Sequence, residues 1–238
     1  MTDDPYRKLS RTEASEAVNR LGWRLVLGDL RTQVLTGSLP RAADVAAQAA
    51  AEPDAQGHLV LDIRADRVIM SLQSADVAAV TSRDVELAHR LSSMVEELRL
   101  ETDAQVGTDG GAGTDGGAGT RAVQVLEIGI DALDAGAIRP FWRAVLGYVD
   151  EPRAGGGLID PLGQGPAVWF QQMDAPRPQR NRIHLDVSVP HDETSARIAA
   201  TLAAGGTVTY DAEAPAFWVL ADAEGNEACI TTWQGRDP

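Results

Sequence analysis

Four histidines and one cysteine are the side chains of this 238-residue chain best suited to proton transfer, nucleophilic attack or metal ligation. His58 opens the strand-like stretch "HLVLDIR", so its imidazole stands at the lip of a strand. With an ordinary pKa of about 6.5, such a group can exchange a proton near neutrality. The plainer alternative is a partly exposed strand-edge residue with no catalytic duty. His184 lies in a second strand-like run, "RIHLDVSV", and the lone Cys229 in a third, "EACITTW". His89, on a helix, and His191, at a strand end, read as surface residues. A single cysteine excludes an internal disulfide and a finger-type zinc site built on several thiolates. Trp142, Trp169, Phe170, Trp218 and Trp233 have two readings: core packing, or the wall of a cleft that stacks on a planar ring.

The elements that must position these residues fall into two sets. In the first, "LSRTEASEAVNRLG" begins with Ser10 and Glu13 spaced as a capping box and reads as a helix. "WRLVLGD" and "TQVLTGSL" read as strands, "RAADVAAQAAAE" as an alanine-rich helix ended before Pro53, and "HLVLDIR" and "RVIMSLQS" as two more strands. Thr81 and Asp84 cap a last helix with Leu87, Leu91, Met94 and Leu98 along one side. The order predicted for residues 1–100 is αββαββα. The segment 101–121 contains a repeat of GTDGGA, with no strand feeding it and no Lys after it to make an anion-binding loop. It reads as a flexible Gly/Thr/Asp linker. Residues 122–238 carry one unit twice: a strand ("AVQVLEIGI", then "RIHLDVSV"), a helix ("AGAIRPFWRAVLG", then "DETSARIAATLAAGG") and three short strands. That order is a tandem βαβββ.

Composition narrows the function. A length of 238 residues with 44% hydrophobic content suits two small cores. The formal net charge of −14, with no basic segment, argues against nucleic acid and against anionic membranes as partners. No run reaches the roughly 18 apolar residues of a spanning helix, and "MTDDPYRKLS" lacks a secretory apolar segment, so a cytoplasmic protein is expected.

The first set of elements resembles the pterin-4a-carbinolamine dehydratase family. The carriers are Ala51–Glu52, "GHLVLDIR", and "SADVAAVTSRD" leading into the last helix. The family's His-His-Pro falls on Gly57, His58 and Leu59, and its Thr-His pair on Ser74 and Ala75, so two of the three functional histidines are replaced. What the resemblance implies is a proton delivered to the leaving hydroxyl of a 4a-hydroxytetrahydrobiopterin and another removed from its ring. Here His58 would work with Glu52 or Asp62 as partner. The resemblance also implies a homo-oligomer, for which an exposed apolar stripe on the last helix would be the physical reason; alternatively that stripe packs under its own sheet.

The second set is similar to the glyoxalase-like branch of the vicinal oxygen chelate superfamily. "PFWRAVLGY", "NRIHLDVSV" and "LADAEGNEACI" carry that likeness, in order. It implies an open barrel of two βαβββ units that directs side chains from four strands at one divalent metal. The ligand positions fall on Glu127, Gln171, His184 and Cys229, with Glu227 on the same strand face as Cys229. Gln171 is a weak ligand, and Cys229 stands where a carboxylate is usual.

The fold expected is therefore α+β: an αββαββα dehydratase-like domain and a tandem βαβββ open barrel. With both sets of reactive positions depleted, the function expected first is a weakly or non-catalytic small-molecule-binding protein. Its ligand, a pterin or a carbonyl metabolite, would lie in the barrel cleft, with Trp142, Trp169, Phe170 and Trp218 as candidate wall residues. The alternatives are a 4a-hydroxytetrahydropterin dehydratase and a metal-dependent lyase or dioxygenase of the barrel.

Overall fold

The structure is a computed structural model that describes residues 6–104, 123–152, 156–176 and 183–235. The repeat read as a linker lies outside the described residues. The chain divides into two compact units, Met1–Val125 and Leu126–Pro238. No described helix is long and apolar enough to cross a membrane.

The first unit runs α1 (Arg11–Val18), a 3-10 turn (Asn19–Leu21), β1 (Arg24–Val26), β2 (Asp29–Leu35), α2 (Leu39–Ala50), β3 (Leu59–Ile63), β4 (Arg67–Leu72), α3 (Ser82–Glu97) and β5 (Thr102–Asp103). This is the expected αββαββα order with a two-residue strand added. The sheet is antiparallel in the order β1-β2-β4-β3, with β5 on β2. Alternation puts Leu30, Val34, Val68, Met70 and Leu72 on one face, each fully buried, where they meet Ala42, Val45 and Ala49 of α2 and Leu87 and Leu91 of α3. The apolar stripe of α3 therefore packs under its own sheet and is not free to serve as an oligomer interface. Trp23, also fully buried, donates Nε1–H to Ser92 Oγ at 3.0 Å and so ties β1 to α3.

Both capping boxes form. Ser10 Oγ accepts from Glu13 N at 3.2 Å, and the Glu13 carboxylate accepts from Ser10 N at 2.8 Å. Those hydrogen bonds to Ser10, with one from Arg7, lower the Glu13 pKa to about 2. Gly22 ends the 3-10 turn at φ +75°, and a Cβ there would lie 1.9 Å from the Thr102 carbonyl oxygen. Gly22→Ala must therefore move backbone as well as strain a left-handed residue. We expect it to cost about 2–4 kcal/mol, from about 1–2 kcal/mol of left-handed strain plus displacement of β5. Urea unfolding of the variant checks this.

The second unit repeats one topology. β6 (Glu127–Ala132), α4 (Ala135–Leu146), β7 (Val149–Asp150), β8 (Leu158–Ile159) and β9 (Ala167–Gln172) form the first module. β10 (Leu185–Ser188), α5 (Thr194–Ala203), β11 (Thr207–Tyr210), β12 (Phe217–Ala221) and β13 (Glu227–Thr231) form the second. Each sheet has its first and last strands paired in parallel, in the orders β6-β9-β8-β7 and β10-β13-β12-β11. The two sheets stay separate among the described residues, the open arrangement expected. On one face of each sheet Ile130, Ala132, Val168, Leu220, Ala228 and Ile230 join Ile138, Phe141 and Trp142 of α4 in a single core. Glu127, Trp169, Gln171, Cys229 and Val219 alternate with these and so point to the opposite faces.

The "DAEGNE" turn stitches the modules together. Asp222 accepts from Trp142 Nε1 at 3.0 Å, while the Glu224 carboxylate accepts from Leu133 N at 2.8 Å and Asp134 N at 2.7 Å. All three donors belong to the first module and both carboxylates to the second. The phrase that carries part of the sequence resemblance is thus a structural clamp.

Candidate functional site

In the first unit His58 sits just ahead of β3, with its backbone between Ala55 and Gln73: His58 N donates to Ala55 O at 3.2 Å and Gln73 N to His58 O at 3.0 Å. This aims the imidazole at the N-terminus of α3. Its Nδ1 lies 2.7 Å from Asp84 Oδ1, with the His58 side chain 12% exposed and Asp84 0%. A carboxylate can only accept, so Nδ1 carries the proton toward Asp84 and Nε2 is left as the basic nitrogen. The other carboxylate oxygen, Oδ2, accepts from Thr81 N (2.7 Å), Ser74 Oγ (2.8 Å) and Thr81 Oγ1 (2.9 Å). Ser74 Oγ also lies 3.1 Å from His58 Nδ1. One buried carboxylate therefore caps α3 and fixes the tautomer of His58.

The partners expected for His58 are engaged elsewhere. Glu52 faces Arg90 at 3.5 Å, and Asp62 is bridged by Arg64 at 2.6 Å on an exposed strand face. The aspartate that orients His58 is Asp84, read from the sequence only as a cap. Next to it, hydrogen bonding to Arg83, then the Arg83 and Arg90 charges, hold Asp54 below its ordinary pKa. Gly57, on the first histidine position, has φ +82°, a left-handed backbone that glycine adopts without strain.

In the second unit a cleft of about 790 Å³ is lined by His184, Thr209, Tyr210, Glu213, Phe217, Val219, Glu227 and Cys229. All belong to the second module. Tyr210 and Phe217 stack at 5.9 Å with their planes 23° apart. Burial, then the Glu213 carboxylate, raises the Tyr210 pKa, and the hydroxyl donates to Glu213 at 3.3 Å. Strand alternation puts Phe217, Val219, Glu227 and Cys229 on this wall and turns Trp218 into the core. Trp142 is 3% exposed and Phe170 packs against the same core under the Arg139 guanidinium. Trp142, Phe170 and Trp218 are therefore core residues and not cleft wall. Trp169 lies half-exposed over Gly129, and Trp233 rests edge-on against His191. The aromatic wall is Tyr210 with Phe217, two residues the sequence reading did not single out.

The four positions implied as metal ligands do not converge. Glu127 is in register with Ala167, and Gln171 lies four residues farther along β9, about 13 Å at strand rise. Among the described residues, the group of three His, Cys or carboxylate side chains whose ligand atoms all lie within 4.8 Å of one another is His184, Asp186 and Cys229, without Glu127. The structure thus brings His184 and Cys229 together and leaves Glu127 and Gln171 on the other sheet. The residues do not fit one ion shared by four strands. Asp186 was missed although its signal was legible: on a strand, position i+2 from His184 shares its face.

With this geometry in hand, comparison with known proteins places both units. Residues 7–94 match the family Pterin 4 alpha carbinolamine dehydratase, and residues 127–231 match the family Glyoxalase-like domain. No curated protein matches the chain. Among solved structures, a transcriptional coactivator/pterin dehydratase from Brucella melitensis is 24% identical and covers 37% of this chain and 98% of its own, with a TM-score of 0.33. A glyoxalase-related enzyme from Fulvimarina pelagi is 20% identical over 46% of this chain and 87% of its own, with a TM-score of 0.38. The fosfomycin resistance protein FosX from Listeria monocytogenes, solved with Mn(II) and sulfate, is 10% identical over 47% of this chain and 93% of its own, also with a TM-score of 0.38. The chain is a pterin-4a-carbinolamine dehydratase-like domain joined to a glyoxalase-like domain.

Proposed function

We propose that the protein binds a small planar or carbonyl-bearing metabolite in the cleft of its glyoxalase-like domain, with little or no turnover there. The observation that carries this reading is the cleft itself. Its volume of about 790 Å³ falls in the range of small-molecule sites, and it sets an aromatic pair, Tyr210 and Phe217, beside His184, Glu227 and Cys229 in one lining. Stacking on Phe217 orients a ring, and the neighbouring polar groups read its carbonyl or hydroxyl substituents. Titration of the full chain with a metabolite panel, followed by tryptophan fluorescence, tests it. Phe217→Ala is expected to weaken the best ligand about 3–10-fold, the equivalent of one aromatic contact of about 0.5–1.5 kcal/mol. Saturable binding unchanged by Phe217→Ala would place the ligand elsewhere.

A second reading, a 4a-hydroxytetrahydropterin dehydratase, is favoured by one observation: the 2.7 Å contact that holds His58 in one tautomer. Nε2 of His58 would take the ring proton or return one to the leaving hydroxyl, and Asp84 would stabilise the imidazolium formed in between. Loss of a single acid–base group typically costs about 10²–10⁴-fold. His58→Gln is therefore expected to return the dehydration to its spontaneous rate, followed by the absorbance of the quinonoid dihydropterin product. A wild-type rate equal to the spontaneous one rejects the reading.

A further inference from the structure

We propose that Cys229 captures planar α,β-unsaturated carbonyl compounds covalently, with His184 as its base and Asp186 as the residue that orients the imidazole. The proposal rests on the reading of the cleft as a small-molecule site and names the ligand class: a flat conjugated molecule with a carbonyl and an electrophilic carbon. Three observations carry it. Asp186 is in register with Cys229 on the parallel strands β10 and β13, and His184 precedes Asp186 by two residues, so the three side chains leave one face of the sheet. Cys229 Sγ lies 3.7 Å from His184 Nδ1, and that nitrogen lies 2.9 Å from Asp186 Oδ1. Phe217 lines the same cleft two residues before Val219, the register partner of Cys229 on β12. Diagonal neighbours on paired strands stand about 7–8 Å apart, within reach of an aromatic ring, so the phenyl group and the sulfur can meet one ligand.

A nucleophile beside a base that a third group holds in place is the arrangement that activates a thiol. A carboxylate only accepts, so Nδ1–H of the neutral imidazole donates to Asp186 and Nε2 is the basic nitrogen. The His184 side chain is half-exposed, so Nε2 takes up the thiol proton through solvent. The imidazolium then keeps Nδ1–H between Asp186 and Sγ, where it stabilises the thiolate, the attacking form. The sulfur bonds to the β-carbon of the unsaturated carbonyl compound. The carbon–carbon π bond breaks, its electron pair passes to the carbonyl oxygen as an enolate, and the proton held by His184 goes to the α-carbon as the carbonyl re-forms. The product is a saturated thioether that carries the former thiol hydrogen on carbon, so the step needs no oxidant, reductant or second substrate. Burial sets the selectivity. Cys229 is 6% exposed, so a reagent reaches it through the cleft it lines, and a flat molecule that stacks on Phe217 is held there. One cysteine gives one adduct per chain, in keeping with binding that does not turn over.

The test treats the full chain with benzylideneacetone, a planar aryl enone, and follows the loss of its conjugated absorbance together with the intact mass of the protein. A single adduct is expected, absent in Cys229→Ser and absent with the saturated analogue 4-phenylbutan-2-one. Its rate should saturate with enone concentration and exceed that of N-acetylcysteine by at least about 10²-fold, the lower end of what one acid–base group contributes. His184→Gln and Asp186→Asn should lower the limiting rate and leave the half-saturation concentration unchanged. Phe217→Ala should do the reverse, raising half-saturation about 3–10-fold. No adduct on the wild-type chain, a rate equal to that of N-acetylcysteine without saturation, an adduct that persists in Cys229→Ser, or an unchanged limiting rate in His184→Gln would each overturn the proposal. Saturable binding in the metabolite titration without an adduct would reject the covalent step and leave the cleft as a ligand site.

Discussion

Asp84→Ala is expected to lose about 3–5 kcal/mol of stability, the cost of removing one member of a buried charged network. Its carboxylate is fully buried and serves as the common acceptor for Thr81 N, Thr81 Oγ1, Ser74 Oγ and His58 Nδ1. Alanine leaves these donors in a space that excludes water, and each unsatisfied polar group costs about 1–3 kcal/mol. The first turn of α3 also loses its cap, worth about 1 kcal/mol. At about 4–8 °C per kcal/mol for a domain of this size, the melting transition should fall by more than about 12 °C, measured by calorimetry. Asp84→Asn makes a sharper probe. It keeps the shape and one acceptor oxygen, but if its amide faces His58, Nδ1 must become the acceptor and the proton moves to Nε2. The domain should then fold while the imidazole presents the wrong tautomer, so any activity that uses His58 falls with much of the stability retained.

The second large effect belongs to the other domain. Asp222→Ala should cost about 2–4 kcal/mol, within the range for breaking a buried hydrogen-bond network. Asp222 is 5% exposed and accepts from Glu224 N, Asn226 N and Asn226 Nδ2, each at 2.9 Å, as well as from Trp142 Nε1. Three of these contacts shape the turn before β13, and the fourth ties it to α4 of the other module. Urea unfolding followed by tryptophan fluorescence checks the prediction. Trp142→Phe, which removes one of the four donors and leaves the turn intact, should lose only about 1 kcal/mol beyond its change in packing.

The elements were legible because their signals are local. Alternation in "RVIMSLQS", the Ser10–Glu13 and Thr81–Asp84 spacings and the twice-written strand–helix–strand order each depend on near neighbours in the chain, and each formed as read. The reach of a carboxylate across the fold has no such signal. Asp84 meets His58 from 26 residues away because α3 starts where β3 and β4 meet, whereas Glu52 and Asp62, nearer in sequence, are bound by arginines. The implied metal set failed for a related reason. It carried four strand positions over from a family pattern, but within the first module the β6–β9 register separates Glu127 from Gln171. The aromatic wall was misread because tryptophans draw notice first: alternation on β12 turns Phe217 outward and Trp218 inward, and a choice between adjacent rings needs the register of β13 to decide it.

The shared duty of Asp84 changes what an aligned imidazole signifies. A chain retained only because it folds would still keep that aspartate, since it caps α3 and accepts from four donors, and the ring of His58 would stay poised as a by-product. Poise and use are thereby separable in this domain: the cap on α3 is by itself sufficient to set the direction of the ring.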